Sequence, residues 1–325
     1  MAPRIGTGAT CRYSLHAMTI VVSLPSQQLA DDVAARLDPA LDTTLVTWDG
    51  TGEPPCDHID MYVPEAVGPR HPLPDLAALG CHFVQGGAIG YDGVKQTLPP
   101  GVVYANASSV HETATAELTL ALLLAAQRRL DEFMDFQRHG EWHVLDAPGL
   151  ADRRIVMLGY GGVGKAIARR LEGFEVELVP VAHSAREQDG VQIHGIDELP
   201  DLLPRADILI NALPGGQETY HLIDDAVLAA LPEGALLVNI GRGPTVDTDA
   251  LVDHMRRGRI RVASDVWDPE PLPRDHPLWS MSDAIITPHI GGNSSALEPR
   301  MVRLIARQAE RLVRGQEPVN IVLRS

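Results

Sequence analysis

The stretch that decides the fold reads Arg154-Ile-Val-Met-Leu158, then Gly159-Tyr-Gly-Gly-Val-Gly164, then Lys165-Ala-Ile-Ala-Arg-Arg-Leu171. The first part is a short apolar run typical of a buried strand, and the last part has the composition of a helix. The middle part is a G-x-G-x-x-G turn, which binds a dinucleotide when a strand precedes it and a helix follows it. Together the three parts predict the first βα unit of a doubly wound parallel sheet.

Three glycines of this turn have a predicted task. Gly159 permits the tight turn, Gly161 lets the backbone approach a pyrophosphate, and Gly164 allows the helix to pack against the strand. The N-terminus of the helix then faces the phosphates. The alternative is an ordinary glycine-rich βα turn without a ligand. The flanking strand and helix favour the binding site, for which the predicted contacts are Gly159, Tyr160, Gly161, Gly162, Val163 and Gly164.

Further apolar runs follow the turn, and helical patterns separate most of them. Strands that alternate with helices form right-handed crossovers and a parallel sheet covered on both faces. The sequence therefore predicts the α/β class, with a doubly wound (Rossmann) dinucleotide domain. The predicted strands after the turn are 176–182, 208–211, 236–239, 262–265 and 284–287.

A second, smaller α/β unit is predicted before the turn, because residues 18–104 alternate short apolar runs with helical candidates such as 28–36. A long helix, apolar on nearly every face, is predicted over 113–129 and is expected to be buried between domains or subunits. For the first residues a disordered extension is favoured over a targeting segment. The predicted divisions are a disordered extension over 1–17, a flavodoxin-like substrate domain over 18–105 with 295–325, and a dinucleotide-binding domain over 106–294.

Composition argues against several classes of protein. The 325 residues carry a formal net charge of −16, and lysine occurs only as Lys95 and Lys165, so a nucleic acid backbone is an unsuitable partner. Every apolar stretch is broken before it reaches the length of a membrane span. Cys11, Cys56 and Cys81 are widely spaced and form no C-x-x-C pair, which indicates neither a disulfide framework nor a metal site. We therefore expect a cytoplasmic protein without a metal, a membrane or a nucleic acid partner.

The end of the second strand bears on the choice of cofactor. In NAD sites an acidic residue there binds the ribose hydroxyls, but this sequence has no acid at that place and continues Ala182-His-Ser-Ala-Arg186. A guanidinium suits a 2′-phosphate, which a carboxylate repels. We expect His183, Ser184 and Arg186 to contact the cofactor and NADP(H) to be favoured over NAD(H). In the alternative, Arg186 is a solvated loop residue and Glu187 or Asp189 reaches the ribose.

Three polar residues follow the carboxyl ends of predicted strands: Arg242, Glu270 and His289. Ligands of open α/β sheets bind outside these ends, so the three side chains should converge. Reduction of a 2-oxo acid needs a cation for the carboxylate, a proton donor for the carbonyl oxygen and a bound hydride donor. Arg242 suits the first task, and His289 suits the second, with Glu270 raising its pKa and orienting it. Singly, each residue also has an ordinary explanation, as a surface ion pair, a loop residue or a helix cap.

The combined motifs resemble the D-2-hydroxyacid dehydrogenase family over nearly the whole chain from Met18. The resemblance implies an NAD(P)-dependent enzyme with Arg242, Glu270 and His289 in the roles given above. It also implies a homodimer joined through the dinucleotide domain and the long helix. The motifs that carry it are the glycine turn 159–164, Asn239-Ile-Gly-Arg-Gly243, Asp265-Val-Trp-Asp-Pro-Glu-Pro-Leu-Pro273 with His276-Pro-Leu-Trp279, and Thr287-Pro-His-Ile-Gly-Gly292.

The same resemblance implies further contacts. Asp265 is placed near the nicotinamide amide, and Leu213 with Pro214 along the cofactor. The loop Gln85-Gly-Gly-Ala-Ile-Gly-Tyr-Asp92 is similar to a substrate loop whose main-chain amides hold the substrate carboxylate, here at Ala88, Ile89 and Gly90. The remaining cofactor contacts that it implies are Ile240, Gly241, Arg242, His289 and Gly291.

Departures within the family narrow the expected substrate. Glu270 stands where the formate-oxidising branch has Gln, and the loop 85–92 lacks the lysine of the phosphite-oxidising branch. Because the sequence ends at Ser325, we expect none of the extra regulatory domains of many phosphoglycerate dehydrogenases. The missing ribose acid is similar to the NADPH-preferring glyoxylate and hydroxypyruvate reductases, so a small 2-oxo acid of that type is expected. The alternative in a different class is a non-catalytic dinucleotide-sensing co-regulator of the same fold.

Overall fold

The computed structural model describes residues 4–6, 19–65 and 71–325. The chain divides into two compact units, Met1–His111 with Ser295–Ser325, and Glu112–Ser294. In chain order the strands are β1 (Arg4–Gly6), β2 (Ile20–Leu24), β3 (Thr43–Thr47), β4 (Met61–Tyr62), β5 (Phe83–Gln85), β6 (Val103–Ala105), β7 (Arg154–Leu158), β8 (Glu177–Ala182), β9 (Arg186–Gln188), β10 (Val191–Gly195), β11 (Ile208–Asn211), β12 (Ala235–Asn239), β13 (Ile260–Ser264), β14 (Ala284–Ile286) and β15 (Ile321–Arg324). The helices are α1 (Gln27–Arg36), α2 (Val94–Thr97), α3 (Glu112–Gln127), α4 (Leu130–His139), α5 (Gly162–Leu171), α6 (Leu199–Leu202), α7 (Asp225–Ala230), α8 (Thr248–Arg256) and α9 (Leu297–Val313).

The first unit is built on a seven-stranded sheet with the order β1-β3-β2-β4-β5-β6-β15. All neighbours are parallel except β15, which runs antiparallel to β6. All five residues of β2 are buried, because this strand lies between two neighbours and is covered on both faces. One face of the sheet packs on α1 and α9, whose buried side chains include Val33 and Ile305.

The predicted N-terminal extension is described only in part. Arg4–Gly6 forms β1 and pairs in parallel with Thr44–Val46 of β3. The remainder of 1–17 lies outside the described residues. For that remainder the extension stays a prediction.

The first boundary between the units follows His111 rather than residue 105. The intervening segment is bonded to the first unit: the Asn106 amide Nδ2 donates to the Ile89 carbonyl at 2.8 Å, and the Ala107 amide donates to the Ala88 carbonyl at 2.8 Å. Ala107 and Val110 also pack against Leu304 of α9. These contacts join residues that are far apart in the sequence. A pattern of apolar runs does not predict such contacts, so it does not locate this boundary.

The second unit contains an eight-stranded sheet with the order β14-β13-β12-β11-β7-β8-β10-β9. Every pair is parallel except β9 with β10. The predicted doubly wound parallel sheet is therefore confirmed. The chain order reverses beside β7, and the carboxyl ends of β7, β11, β12, β13 and β14 lie along one edge, which is where ligands of such sheets bind.

Helices cover both faces of this sheet. The buried side chains of α3, such as Leu122 and Leu123, pack with Ile167 of α5 against strand residues that include Met157 and Val238. The long helix that was expected between domains or subunits thus buries these side chains on the sheet of its own unit. The opposite face of the sheet forms a second apolar cluster with α7 and α8.

The β9–β10 hairpin is an element that the sequence pattern does not predict. It extends the sheet beyond β8, and Arg186 is the first residue of its edge strand rather than a loop residue. Five of its eight strand residues are polar or charged (Arg186, Glu187, Gln188, Gln192 and His194). An edge hairpin of this kind has little apolar alternation for a periodicity test to detect.

Replacement of Gly164 by alanine tests the close packing of α5 on β7. A Cβ atom at this position would lie 2.1 Å from the main-chain oxygen of Gly159, so the helix has to move away from the turn. We expect the free energy of unfolding, measured by urea denaturation, to fall by about 1 to 3 kcal/mol. Gly173→Ala is the matched control, since a Cβ there meets nothing within 4 Å. Equal stability of the two variants would contradict the packing argument.

Candidate active site

The glycine turn between β7 and α5 has the shape of an anion cradle. Gly159 has φ 96°, and a Cβ on it would lie 2.8 Å from the Ala212 carbonyl oxygen. Gly161 is the N-cap of α5 and offers no side chain to cap the first amides, while a Cβ on it would point into open space. The uncapped N–H groups and this open space fit a phosphate at the helix N-terminus.

The other residues of the turn lie within the same segment. Tyr160 and Val163 are half-buried against the α3 face of the sheet. Gly162 begins α5, and a Cβ on it would lie 2.9 Å from Oε1 of Glu112. The turn therefore leaves room beside Gly161 but is closely packed at Gly162. Contact of each residue with a cofactor stays a prediction.

The end of β8 exposes His183 and Ser184, and Arg186 follows them on β9. The Arg186 guanidinium is exposed and donates from Nη1 to the Ser184 carbonyl at 3.3 Å. The alternative brings Glu187 or Asp189 to the ribose. Glu187 is exposed on β9. Asp189 lies at the hairpin turn, with its carboxylate 3.2 Å from the Lys165 ammonium. An ion pair with Lys165 therefore holds the Asp189 carboxylate at the start of α5.

Two further strand-end loops approach each other beside the glycine turn. Leu213 and Pro214 follow β11, while Ile240, Gly241 and Arg242 follow β12. A Cβ on Gly241 would lie 2.5 Å from the Leu213 carbonyl oxygen, so the two backbones are in direct contact. The structure thus brings the predicted cofactor contacts of these loops to the same edge as the glycine turn.

His289 and Glu270 form a hydrogen-bonded pair. The His289 Nδ1 and Glu270 Oε2 atoms lie 2.9 Å apart, and the side chains are 50% and 38% exposed. The other Glu270 oxygen, Oε1, accepts the Trp267 amide at 2.8 Å, which fixes the carboxylate. Nε2 of His289 is consequently the nitrogen left to meet a substrate.

The surroundings shift the pKa of both groups. The hydrogen bond from Glu270, aided by the charges of Glu270 and Asp265, raises the pKa of His289 above its ordinary value against the opposing effects of burial and Arg242. Burial favours the neutral form of Glu270. The hydrogen bonds from His289 and the Trp267 amide, together with the charges of His289 and Arg242, outweigh it and lower the pKa of Glu270. The pair therefore favours imidazolium beside carboxylate.

Arg242 contributes positive charge to the same site. Its charge helps to lower the pKa of Glu270 and partly opposes the rise in the pKa of His289. Its Nη1 atom donates to the Gly241 carbonyl at 2.8 Å. The next residue, Gly243, has no room for a side chain, because a Cβ there would lie 1.8 Å from the Trp267 carbonyl oxygen. Arg242 is thus held where the loops after β12 and β13 meet.

Asp265 has a structural task that the sequence did not reveal. Its buried carboxylate accepts Thr287 Oγ1 at 2.6 Å, the Ile290 amide at 2.8 Å and the Gly291 amide at 2.7 Å. Its carbonyl oxygen accepts the His289 amide at 2.7 Å. Asp265 therefore shapes the turn that presents His289, which has φ 55°. Its contact with the nicotinamide amide stays a prediction.

The predicted substrate loop belongs to the first unit. Ile89 and Ala88 are held through their carbonyl oxygens by Asn106 and the Ala107 amide, and Gly90 follows them in the same loop. Substrate contact by Ala88, Ile89 and Gly90 stays a prediction. Across residues 19–65 and 71–325, no group of three or more His, Cys, Asp or Glu side chains is arranged to hold a metal ion. No helix in the described part of the chain has the length and hydropathy needed to cross a membrane.

Comparison with known proteins gives a consistent result. A family model described as D-isomer specific 2-hydroxyacid dehydrogenase, NAD binding domain, matches residues 120–291. The glyoxylate reductase of Thermofilum pendens is 31% identical over 277 residues, which cover 82% of this chain and 78% of that protein.

Two solved structures show the same likeness over nearly the whole chain. A D-isomer specific 2-hydroxyacid dehydrogenase from Xanthobacter autotrophicus, in complex with NADPH and MES, is 26% identical with a TM-score of 0.78, covering 94% of this chain and 98% of that one. The NADPH-dependent glyoxylate/hydroxypyruvate reductase SmGhrB from Sinorhizobium meliloti, in complex with NADP and malonate, is 25% identical with a TM-score of 0.75, covering 94% and 97%.

The glycine turn fits a nicotinamide dinucleotide, and the resemblance predicted from the motifs is confirmed by the family model and by these relatives. The chain belongs to the D-isomer specific 2-hydroxyacid dehydrogenase family and is an NAD(P)-dependent 2-hydroxyacid dehydrogenase.

Proposed function

We propose that this enzyme reduces small 2-oxo acids of the glyoxylate and hydroxypyruvate type, with His289 as the acid, Glu270 as its partner and Arg242 as the cation for the substrate. The observation that carries the proposal is the 2.9 Å pair of His289 and Glu270, with the raised pKa of His289. The relative from Thermofilum pendens, named as a glyoxylate reductase, supports the substrate class.

Each residue has a chemical task in this reaction. The His289 imidazolium donates the proton on Nε2 to the carbonyl oxygen of the substrate, while Glu270 stays ionised at Nδ1 and stabilises the charged ring. The Arg242 guanidinium binds the substrate carboxylate or its carbonyl oxygen with charge-assisted hydrogen bonds. The bound nicotinamide supplies the hydride to the carbonyl carbon. One proton and one hydride convert the 2-oxo acid to the 2-hydroxy acid, and in the reverse direction neutral His289 accepts the proton.

The substrate carboxylate also needs a place in the first unit under this proposal. The main-chain amides of the loop at Ala88, Ile89 and Gly90 provide donors that require no particular side chain. Asn106 and the Ala107 amide hold the loop through the carbonyl oxygens of Ile89 and Ala88, so these two bonds do not use the loop amides.

NADP(H) is the proposed cofactor in preference to NAD(H). The exposed groups after β8 include His183, Ser184 and the Arg186 guanidinium, with the Glu187 carboxylate next to Arg186 on β9. The Asp189 carboxylate is paired with Lys165. A cation and a hydroxyl suit a 2′-phosphate. The structures from Xanthobacter and Sinorhizobium, which contain NADPH and NADP, support this choice.

We also propose a homodimer, which sedimentation of the purified enzyme would test against a monomer. Its support is the set of large apolar side chains that the second unit exposes, among them Met134 of α4 (54% exposed), Trp142 (96%) and Val144 (85%). Large apolar side chains exposed together often mark a protein interface. A cytoplasmic location and the lack of nucleic acid and membrane partners stay predictions.

The first test is turnover with a substrate panel. Wild-type enzyme should oxidise NADPH in the presence of glyoxylate or hydroxypyruvate, with pyruvate and phenylpyruvate as larger comparison substrates. His289→Ala should lower kcat/KM by about 10²- to 10⁴-fold, because the proton donor is lost. His82→Ala is the control, since His82 is an exposed histidine of the first unit. Turnover that survives in His289→Ala would reject the assigned acid.

The second test uses the pH dependence of reduction. Reduction needs protonated His289, so kcat/KM should be constant below the raised pKa and fall as the pH rises through it. Glu270→Gln removes the main cause of that raised pKa. The falling limb should therefore move to lower pH, toward the ordinary histidine value of about 6.5. Glu172→Gln, an exposed substitution at the end of α5, should leave the limb in place. An unmoved limb in Glu270→Gln would refute the pairing.

The third test concerns cofactor choice. Arg186→Ala should weaken NADPH binding by about 10- to 100-fold, the effect of losing a charged hydrogen bond, while NADH binding should change by less than about threefold. Dissociation constants from nicotinamide fluorescence measure both. Arg256→Ala removes an equally exposed guanidinium on α8 and serves as the control. Equal losses for the two cofactors would remove the role given to Arg186.

A further inference from the structure

Three buried polar side chains lie under the candidate active site and take no part in the proposed chemistry. Asn211 ends β11 and Asn239 ends β12. Thr245 is the last residue of the short 3-10 turn Gly243–Thr245, whose N-cap is Arg242. Their exposed fractions are 0%, 3% and 1%. Polar groups buried to this degree destabilise a fold unless their hydrogen bonds are made, so the partners of these three side chains are informative.

The hydrogen bonds form a relay that ends on one atom, the main-chain oxygen of Arg242. The Asn211 amide Nδ2 donates to Asn239 Oδ1 at 2.9 Å and to Thr245 Oγ1 at 2.6 Å. The Thr245 hydroxyl has one proton, and it is donated to the Arg242 carbonyl at 2.5 Å. Asn239 Nδ2 donates to the same carbonyl at 3.3 Å. Two side chains therefore fix the backbone of Arg242 from below.

The same amides also hold the neighbouring loops. Asn211 Oδ1 accepts the Leu213 amide at 3.2 Å, and Asn239 Oδ1 accepts the Gly241 amide at 3.1 Å. The loop after β11 and the loop after β12 are thereby tied to a single buried network. Each side chain both donates and accepts, so loss of one member leaves the others with unmade bonds.

We propose that Asn211, Asn239 and Thr245 are positioning residues that preorganise Arg242 to bind the carboxylate of the 2-oxo acid. The inference rests on the proposed role of Arg242 as the substrate cation. A guanidinium on a long side chain binds a planar anion well only when its backbone is fixed. The network fixes that backbone without itself touching the substrate.

The test replaces the Thr245 hydroxyl by a methyl group of nearly equal volume. Thr245→Val should raise the KM for glyoxylate by about tenfold or more. This factor should exceed the change in the Kd for NADPH, and the pH at which His289 loses activity should stay in place. Thr245→Ser, which keeps the hydroxyl, should restore KM to within about threefold of wild type. Thr119→Val is the matched control, because Thr119 is fully buried and its hydroxyl donates to the Thr115 carbonyl within α3.

Hydrogen exchange of the peptide 239–246 provides a readout that does not depend on activity. Exchange should be faster by about tenfold or more in Thr245→Val and unchanged in Thr119→Val and Thr245→Ser. If the wild type reduces no 2-oxo acid, the proposed function fails, and exchange alone then decides whether the network holds the Arg242 loop. If Thr245→Val does not fold, Thr245→Ala is measured in the same way. Exchange and KM that match those of Thr119→Val would overturn the proposal.

Discussion

Contact of backbone with backbone at the carboxyl edge of the second sheet is the constraint on which the site depends. Gly159 touches the chain after β11, Gly241 touches Leu213, and Gly243 touches Trp267. At each place a Cβ would fall within 3 Å of a main-chain oxygen. Loops that close to one another have little freedom to move separately, so residues from several strand ends keep a common geometry. The glycines thus build the framework as much as they make room for a ligand.

Much of this arrangement was predictable, because it follows local rules. A strand, a glycine turn and a helix in direct succession specify the first βα unit, and the parallel order then brings the loops with Arg242 and His289 to one edge. The order of the strands in the second sheet confirms the fold that these signals predicted. Arg242 and His289 could be proposed as site residues from their positions after strand ends alone, without knowledge of any side-chain contact.

Other features were not predictable, because their causes lie in distant residues or in weak patterns. The bonds among Asn211, Asn239 and Thr245 join separate strand ends, so no short segment contains them. The Asp265 carboxylate accepts hydrogen bonds from amides of a turn more than twenty positions later in the sequence. Only the folded chain shows that both of its oxygens accept such bonds. The β9–β10 hairpin is polar and lies at an edge, where apolar periodicity fades. The cofactor contact proposed for its exposed Arg186 nevertheless follows from a local signal, the absence of an acid at the end of β8.

The turn that Asp265 holds has a consequence for how the enzyme can diversify. His289 has a left-handed φ of 55°, a conformation that costs a residue with a side chain about 1 to 2 kcal/mol. Three donors to the Asp265 carboxylate stabilise that conformation, and none of them comes from the imidazole. The groups that hold this turn are therefore distinct from the imidazole that the turn presents. The imidazole that we propose as the proton donor can therefore be replaced, or its pKa changed through Glu270, without altering the residues that hold the turn.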